Sequence, residues 1–171
     1  MMAQNSDASW YCVHTRSRHE NVVYHRLTEK GLNSFLPKME VWSKRKDRRR
    51  KIQKALFPGY LFVHERLDHL RRLEILKTSG VVRILGNEQG PAPVPEGQIE
   101  SVKKILDGGV IINPIPYLKE GQLVRVVDGP LQGCEGFLIK VKEEKERLVI
   151  SVDILKRSVS VEIEATSVEP V

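Results

Sequence analysis

The sequence predicts an α+β domain joined to a small all-β barrel, and three observations carry that reading. Over residues 10–108 the hydrophobic periodicity switches repeatedly between strand-like and helix-like spacing, whereas after residue 118 it settles into short, closely spaced β-rich runs. Between the two patterns, residues 109–117 hold two prolines and no charge, the composition of a linker. Charge divides at the same place. Residues 1–108 carry 20 Lys/Arg against 12 Asp/Glu, a balance of +8, while residues 118–171 carry 8 against 10, a balance of −2. The expected boundaries are therefore 8–108 for the first domain, 109–117 for the linker and 118–171 for the barrel.

Residues 10–14 read as a strand, with Trp10, Cys12 and His14 on one face and Tyr11 and Val13 on the other. Ser17 and Glu20 have capping-box spacing, which satisfies amides left unpaired in a first helical turn. A helix to about residue 30 follows, with Val23 and Leu27 on one face and Gly31 as its stop. A second strand is expected over 35–42. The segment Leu56-Phe57-Pro58-Gly59-Tyr60-Leu61-Phe62-Val63 is a turn feeding an apolar strand. Asp68 can cap a second helix whose Leu70, Leu73 and Leu76 fall near one side. Residues 80–86 form a short strand between glycines. After the Pro-rich 91–95, a third helix carries Ile99, Val102, Ile105 and Leu106 and ends at Gly108 and Gly109. The order β-α-β-β-α-β-α suits helices packed on one face of an antiparallel sheet. Beyond the linker, strands are expected at 123–127, 137–141, 148–154 and 159–163, separated by turn signals at 128–130, 143–146 and 156–157.

Composition narrows the class of function. Hydrophobic residues make up 40% and charged residues 29%, an ordinary globular balance. A net charge of +6 with a pI near 9.4 points to an anionic partner. No apolar run approaches the ~20 residues that span a bilayer, and residues 1–9 lack the apolar core of a signal peptide. Cys12 and Cys134 offer neither a disulfide framework nor metal-ligand spacing. A cytoplasmic setting is expected, with no membrane association, cofactor or metal. No nucleophile elbow, phosphate-binding loop or paired-carboxylate signature is present, and His19 and His25 share neither a motif nor a helical face. The chain reads as a binding protein, not an enzyme.

Three segments together resemble the NusG family of transcription elongation factors. Trp10-Tyr11-Cys12-Val13-His14 followed by a helix resembles the opening strand of the NusG N-terminal (NGN) domain. Leu56 to Val63, with its Phe57-Pro58-Gly59-Tyr60, resembles the central strand of that domain. The glycines and valines of Gly121-x-x-Val124-Arg125-Val126-x-x-Gly129-Pro130-x-x-Gly133-x-x-Gly136 resemble a KOW motif. The resemblance implies a ferredoxin-like NGN domain tethered to an SH3-like KOW barrel. It further implies that the first domain binds the clamp helices of RNA polymerase and suppresses pausing. The barrel then recruits termination factor Rho or the ribosomal protein NusE. The segment Ser151 to Val159 departs from housekeeping members, having Leu155 and Lys156 where an aromatic residue and glycine are usual. It thereby resembles RfaH-like and UpxY-like antitermination paralogues.

The candidate site residues follow from both sources. By motif position, His14, Tyr60 and Phe62 line the clamp-helix pocket, with Phe57 and Ile84 close by. From strand period alone, Tyr60 and Phe62 suit core filling equally well. Residues 44–54 hold eight basic side chains and one acid, a local +7 that includes Lys44, Arg45, Lys46, Arg48, Arg49, Arg50 and Lys51. A solvated loop and a salt-dependent contact with upstream or non-template DNA, or with nascent RNA, both fit such a run. Arg16, Arg18 and His19 sit at the turn into the first helix, where phosphate or base edges can be met. In the barrel, Ile154 and Leu155 lie where the family's KOW domain meets its protein partner, and either could be core. A monomer is expected. Two other readings are a general NusG coupled to Rho and, further off, a ribosome-associated RNA-binding protein. The latter requires a basic barrel, and this barrel carries −2.

Overall fold

The structure is a computed structural model that describes residues 7–43, 50–116, 121–142, 145–152, 155, 157–163 and 167–171. Along the chain run β1 (Ser9–Thr15), α1 (Glu20–Glu29), β2 (Ser34–Phe35), β3 (Lys38–Trp42), β4 (Lys51–Ala55), β5 (Tyr60–Glu65), α2 (His69–Leu76) and β6 (Val81–Ile84). Then come β7 (Gly86–Asn87), β8 (Gly90–Pro91), β9 (Pro93–Val94), α3 (Glu96–Asp107) and β10 (Asn113–Pro116). The remaining strands are β11 (Gln122–Val126), β12 (Glu135–Lys142), β13 (Lys145–Val152), β14 (Arg157–Ile163) and β15 (Val168–Pro170). The α+β class read from the sequence is the class observed. The elements pack as two units, residues up to 36 with 57–94, and residues 37–56 with 95–171.

The first unit is built on an antiparallel sheet in the order β2-β5-β1-β6, with β9 also paired to β1. Register places Cys12 opposite Phe62 and His14 opposite Tyr60. Directly opposed residues share a face, so Trp10, Cys12 and His14 stand with His64, Phe62 and Tyr60. Val13 instead faces with Leu61 and Ile84. Cys12, Val13, Leu61, Phe62 and Val63 are all 0% exposed, so both faces of the two central strands are buried. Helix α1 buries Val23 and Leu27 as expected, and Gly31 closes it with φ 78 and an N–H donated to the Thr28 carbonyl at 2.9 Å.

Two local expectations need correction here. The capping box does not form: the N-cap is His19, whose side chain makes no capping bond, and the Glu20 carboxylate accepts from the Gly59 amide at 2.7 Å. The helix starts later than the Ser17 spacing implies because Arg18 takes a left-handed φ of 61 that breaks the turn. In α2, Asp68 caps as expected, accepting from Arg71 N–H at 2.8 Å. Its buried residue, however, is Ile75, and Leu70 is 75% exposed, so the helix turns Ile75 and not Leu70 inward.

The second unit contains a six-stranded antiparallel sheet, β10-β14-β13-β12-β11-β15. Val124, Val126, Val149, Val159 and Val161 form its buried core. Two strands are additional to the four expected. One is β10, which pairs with β14 and lies inside the stretch read as linker. Pro114 and Pro116 lack N–H groups, and an edge position tolerates them. Strands β3 and β4 form a separate two-stranded ribbon in the same unit, so the single strand expected over 35–42 is broken at Leu36-Pro37. Helix α3 carries the expected Ile99, Val102 and Ile105 stripe, and it also buries Ser101. That serine's hydroxyl accepts from Glu135 N–H at 3.4 Å, and the Ser101 carbonyl lies 3.8 Å from Cys134 Sγ. Lys104 Nζ adds a bond to the Gln132 carbonyl at 3.0 Å.

Candidate functional site

The turn Phe57-Pro58-Gly59-Tyr60 is where sequence and site meet. Tyr60 N–H donates to the Phe57 carbonyl at 3.0 Å, and Gly59 has φ 85. Proline second and a positive-φ glycine third define a type II turn. The turn is fastened on both sides, by Thr15 N–H to the Gly59 carbonyl at 2.8 Å and by Gly59 N–H to Glu20. A β-carbon at Gly59 would lie 3.8 Å from the His14 ring, an ordinary contact, so the positive φ and not crowding is what calls for glycine.

Held this way, Tyr60 stacks on His14 with ring centroids 4.9 Å apart and an interplanar angle of 22°. Both side chains are half-buried, at the end of the sheet where β1 finishes and β5 begins. His14 Nδ1 is buried without a hydrogen-bond partner among the described residues. Such an atom costs about 1–3 kcal/mol until a partner satisfies it. Exposed Arg83 is the cross-strand neighbour of His14 on the same face. The surface feature is therefore a half-buried aromatic pair with an adjacent guanidinium, and the unmet Nδ1 lies inside, closed to solvent.

The other three residues expected in this pocket are placed differently. Phe62 is 0% exposed and Phe57 is 2% exposed; they meet edge to face at 6.1 Å, and Phe35 stacks on Phe62 at 6.2 Å. Phe57 and Phe62 belong to the core and offer no contact area. Ile84 is opposite Val13, so strand alternation turns it to the other face of the sheet. Arg83, which the sequence did not single out, takes the place expected of Ile84.

The basic candidates fall in two places. At the α1 entry, Arg16 and Arg18 are exposed and His19 is half-buried, its Nδ1 lying 2.8 Å from the Ser17 carbonyl. Arg16 N–H donates to the Gly80 carbonyl at 2.8 Å, which fixes the turn against the start of β6. At the β3–β4 ribbon, Arg50 and Lys51 are exposed, while Lys44, Arg45, Lys46, Arg48 and Arg49 lie outside the described residues. Lys51 Nζ pairs with Glu40 at 2.6 Å and stands 5.8 Å from the ring centre of Trp42. Trp42 is 64% exposed, another residue the sequence reading passed over.

In the barrel, Ile154 lies outside the described residues, and Leu155 is only 6% exposed. Leu155 thus packs inward here and presents no free contact. Both thiols are buried, and burial pushes the Cys12 pKa well above its ordinary range and Cys134 upward also. Among the described residues no group of His, Cys, Asp and Glu could hold a metal ion, and no helix is long and apolar enough to cross a membrane.

Comparison with known proteins places this geometry in a family. The family described as "Transcription termination factor nusG" matches residues 8–103. The Pseudomonas aeruginosa protein named transcription termination/antitermination protein NusG is 30% identical, over 95% of this chain and 98% of its own length. The Escherichia coli K12 protein of the same name is 28% identical, over 98% and 99%. A solved structure titled "Domain interaction in Thermotoga maritima NusG" covers 96% of this chain and 98% of its own at a TM-score of 0.58, and its 17% identity speaks for the fold alone. A family match over more than half the chain, and a full-length relative, agree with the turn, the two sheets and the helix order. The chain belongs to the NusG family of transcription factors.

Proposed function

We propose that this chain binds RNA polymerase through the His14–Tyr60 pair and acts on elongating transcription as an antitermination factor. The observation that carries the docking reading is that half-buried aromatic stack beside the exposed Arg83. A partner helix laid over it would cover the exposed parts of the two rings and remove that apolar surface from water. Phe57 positions Tyr60 through the turn, its carbonyl accepting the Tyr60 N–H at 3.0 Å, and Phe62 belongs to the core. The clamp helices of the polymerase are the partner that the family resemblance implies. The −2 charge of residues 118–171 suits a protein partner better than a nucleic acid, and NusE or Rho are the candidates. The division into a domain at 8–108, a linker and a barrel at 118–171 belongs to the same reading, as do a monomeric state and a cytoplasmic site of action.

Leu155 and Lys156 favour the specialised, RfaH-like or UpxY-like role over the housekeeping one. Purified transcription through an intrinsic and a Rho-dependent terminator decides between them. The specialised reading expects added full-length transcript at both terminators. Enhanced termination in the presence of Rho would support the general factor and overturn the specialised one.

A further inference from the structure

Three residues line up across the first sheet. Register sets Tyr60 on β5 opposite His14 on β1, and His14 opposite Arg83 on β6. The row ends there, because β6 is the last strand of this sheet. Beyond that edge lies an open cleft of about 210 Å³, whose walls include Arg72 and Leu76, one turn apart on α2, with Arg83, Ile84 and Pro91. Arg83 and Ile84 point to opposite faces of β6, yet both border the cleft because the edge is open on that side. Arg72 and Arg83 are exposed, and neither side chain has a hydrogen-bond or ion-pair partner among the described residues. Three other basic side chains around α2 and the start of β6 are engaged. Arg71 pairs with Glu74 at 3.0 Å, Arg26 donates to the Ser79 carbonyl at 2.8 Å, and Lys30 donates to Thr78 Oγ1 at 2.8 Å. Two free guanidiniums on one cleft repel each other and gain from an incoming anion.

We propose that this cleft receives carboxylates of the same protein helix that covers the His14–Tyr60 stack, with Arg72 and Arg83 as their partners. The proposal rests on the docking reading above and adds a chemical requirement to it: the partner helix is apolar at one end of the row and acidic at the other. Neighbouring strands lie ~4.8 Å apart, so Arg83 stands roughly 10 Å from Tyr60 along the row. A helix advances ~5.4 Å per turn, so its acidic residue falls about two turns, or roughly seven residues, from the side chain over Tyr60. Three observations favour a protein carboxylate over a nucleic-acid phosphate. At about 210 Å³ the cleft is smaller than ligand clefts of roughly 300–1,000 Å³, and it admits side chains rather than a nucleotide. Its apolar walls, Leu76, Ile84 and Pro91, suit the methylene stem of a glutamate as well as its charged end. It also continues the row that begins at the aromatic stack, so one helix spans both. The planar guanidinium fork matches a carboxylate with two parallel hydrogen bonds.

The test measures affinity of the full chain for core polymerase at several salt concentrations, with Tyr60→Ala and Arg72→Ala/Arg83→Ala beside wild type. Single-stranded and duplex oligonucleotides are titrated in parallel, and melting curves verify folding. The arginine variant should bind polymerase roughly 2- to 30-fold more weakly at low salt, the range of two surface ion pairs together. That loss should shrink as salt rises, whereas the Tyr60→Ala loss should persist. Arg72→Glu/Arg83→Glu should bind more weakly still, through repulsion of the partner's acids, and Arg72→Lys/Arg83→Lys should recover part of the affinity. Oligonucleotide affinity should stay within about twofold of wild type in the alanine variant, the two side chains being on a protein-facing cleft. If the arginine variants bind polymerase like wild type while Tyr60→Ala does not, the cleft is refuted and the docking stack stands. If neither change lowers affinity, both fall. A loss of oligonucleotide affinity with polymerase affinity intact would make the cleft a phosphate site and overturn the proposal.

Discussion

Replacing Phe62 by alanine separates the core of the first unit from its surface. Phe62 is fully buried, opposes Cys12 across β1 and β5, and touches Phe57 and Phe35 on either side. Removing a ring in that setting loses its transfer free energy and leaves a cavity lined by two other aromatics, a cost of about 3–5 kcal/mol. Against a total stability of roughly 5–15 kcal/mol that is a large fraction. With a urea slope near ~2 kcal/mol per molar, the midpoint should fall by roughly 2 M. Trp10 reports the transition, because it is buried in the same sheet, 6.1 Å from Phe35. Tyr60→Ala removes a half-buried ring at the end of the sheet and should cost about 1 kcal/mol. A Phe62→Ala midpoint within a few tenths of a molar of wild type would refute the assignment of Phe62 to the core. It would return that residue to the docking surface suggested by its motif position.

Three further outcomes are expected. Asp68→Ala should destabilise the chain by about 1 kcal/mol in the same urea assay, because the Arg71 amide loses its capping partner. Gly80→Ala should cost about 1–3 kcal/mol, measured as a lowered melting temperature, since the new β-carbon would lie 2.8 Å from Val23 Cγ2 at a φ of 99. For the thiols, burial raises the folded pKa of both Cys12 and Cys134, so the folded state keeps protons that the unfolded chain releases. Their contribution is fully present below the ordinary thiol pKa of about 8.5 and is lost as pH rises beyond it. Urea midpoints should therefore decline above that pH, and less so in a Cys12→Ala/Cys134→Ala variant. Native thiols should also resist an aromatic disulfide reagent until urea is added.

Local chemistry was the part of the fold that the sequence displayed most openly. Gly31, Asp68 and the Phe57-Pro58-Gly59-Tyr60 turn each act through neighbours within four residues, and each does in the structure what its residue type dictates. The capping box failed because its competing feature, the left-handed Arg18, leaves no mark in a spacing rule, and because Glu20 finds a better donor 39 residues away. Long-range pairing was equally hidden. That Arg83 and not Ile84 shares a face with His14 depends on the register between β1 and β6, which includes an irregularity at His14/Thr15. Burial of Phe62 against Phe35 and opposite Cys12 likewise arises from chain segments distant in sequence. The linker reading missed β10 because two prolines in four residues argue against a strand, and only an edge position makes them tolerable.

The central claim is that the His14–Tyr60 pair docks the protein on RNA polymerase. It is tested most directly by the affinity of the purified full chain for core polymerase, wild type against Tyr60→Ala, with folding verified for both. The account predicts a loss of roughly tenfold or more for Tyr60→Ala, the size expected when a buried aromatic anchor is truncated. Equal affinity for the two proteins, with both folded, would contradict it.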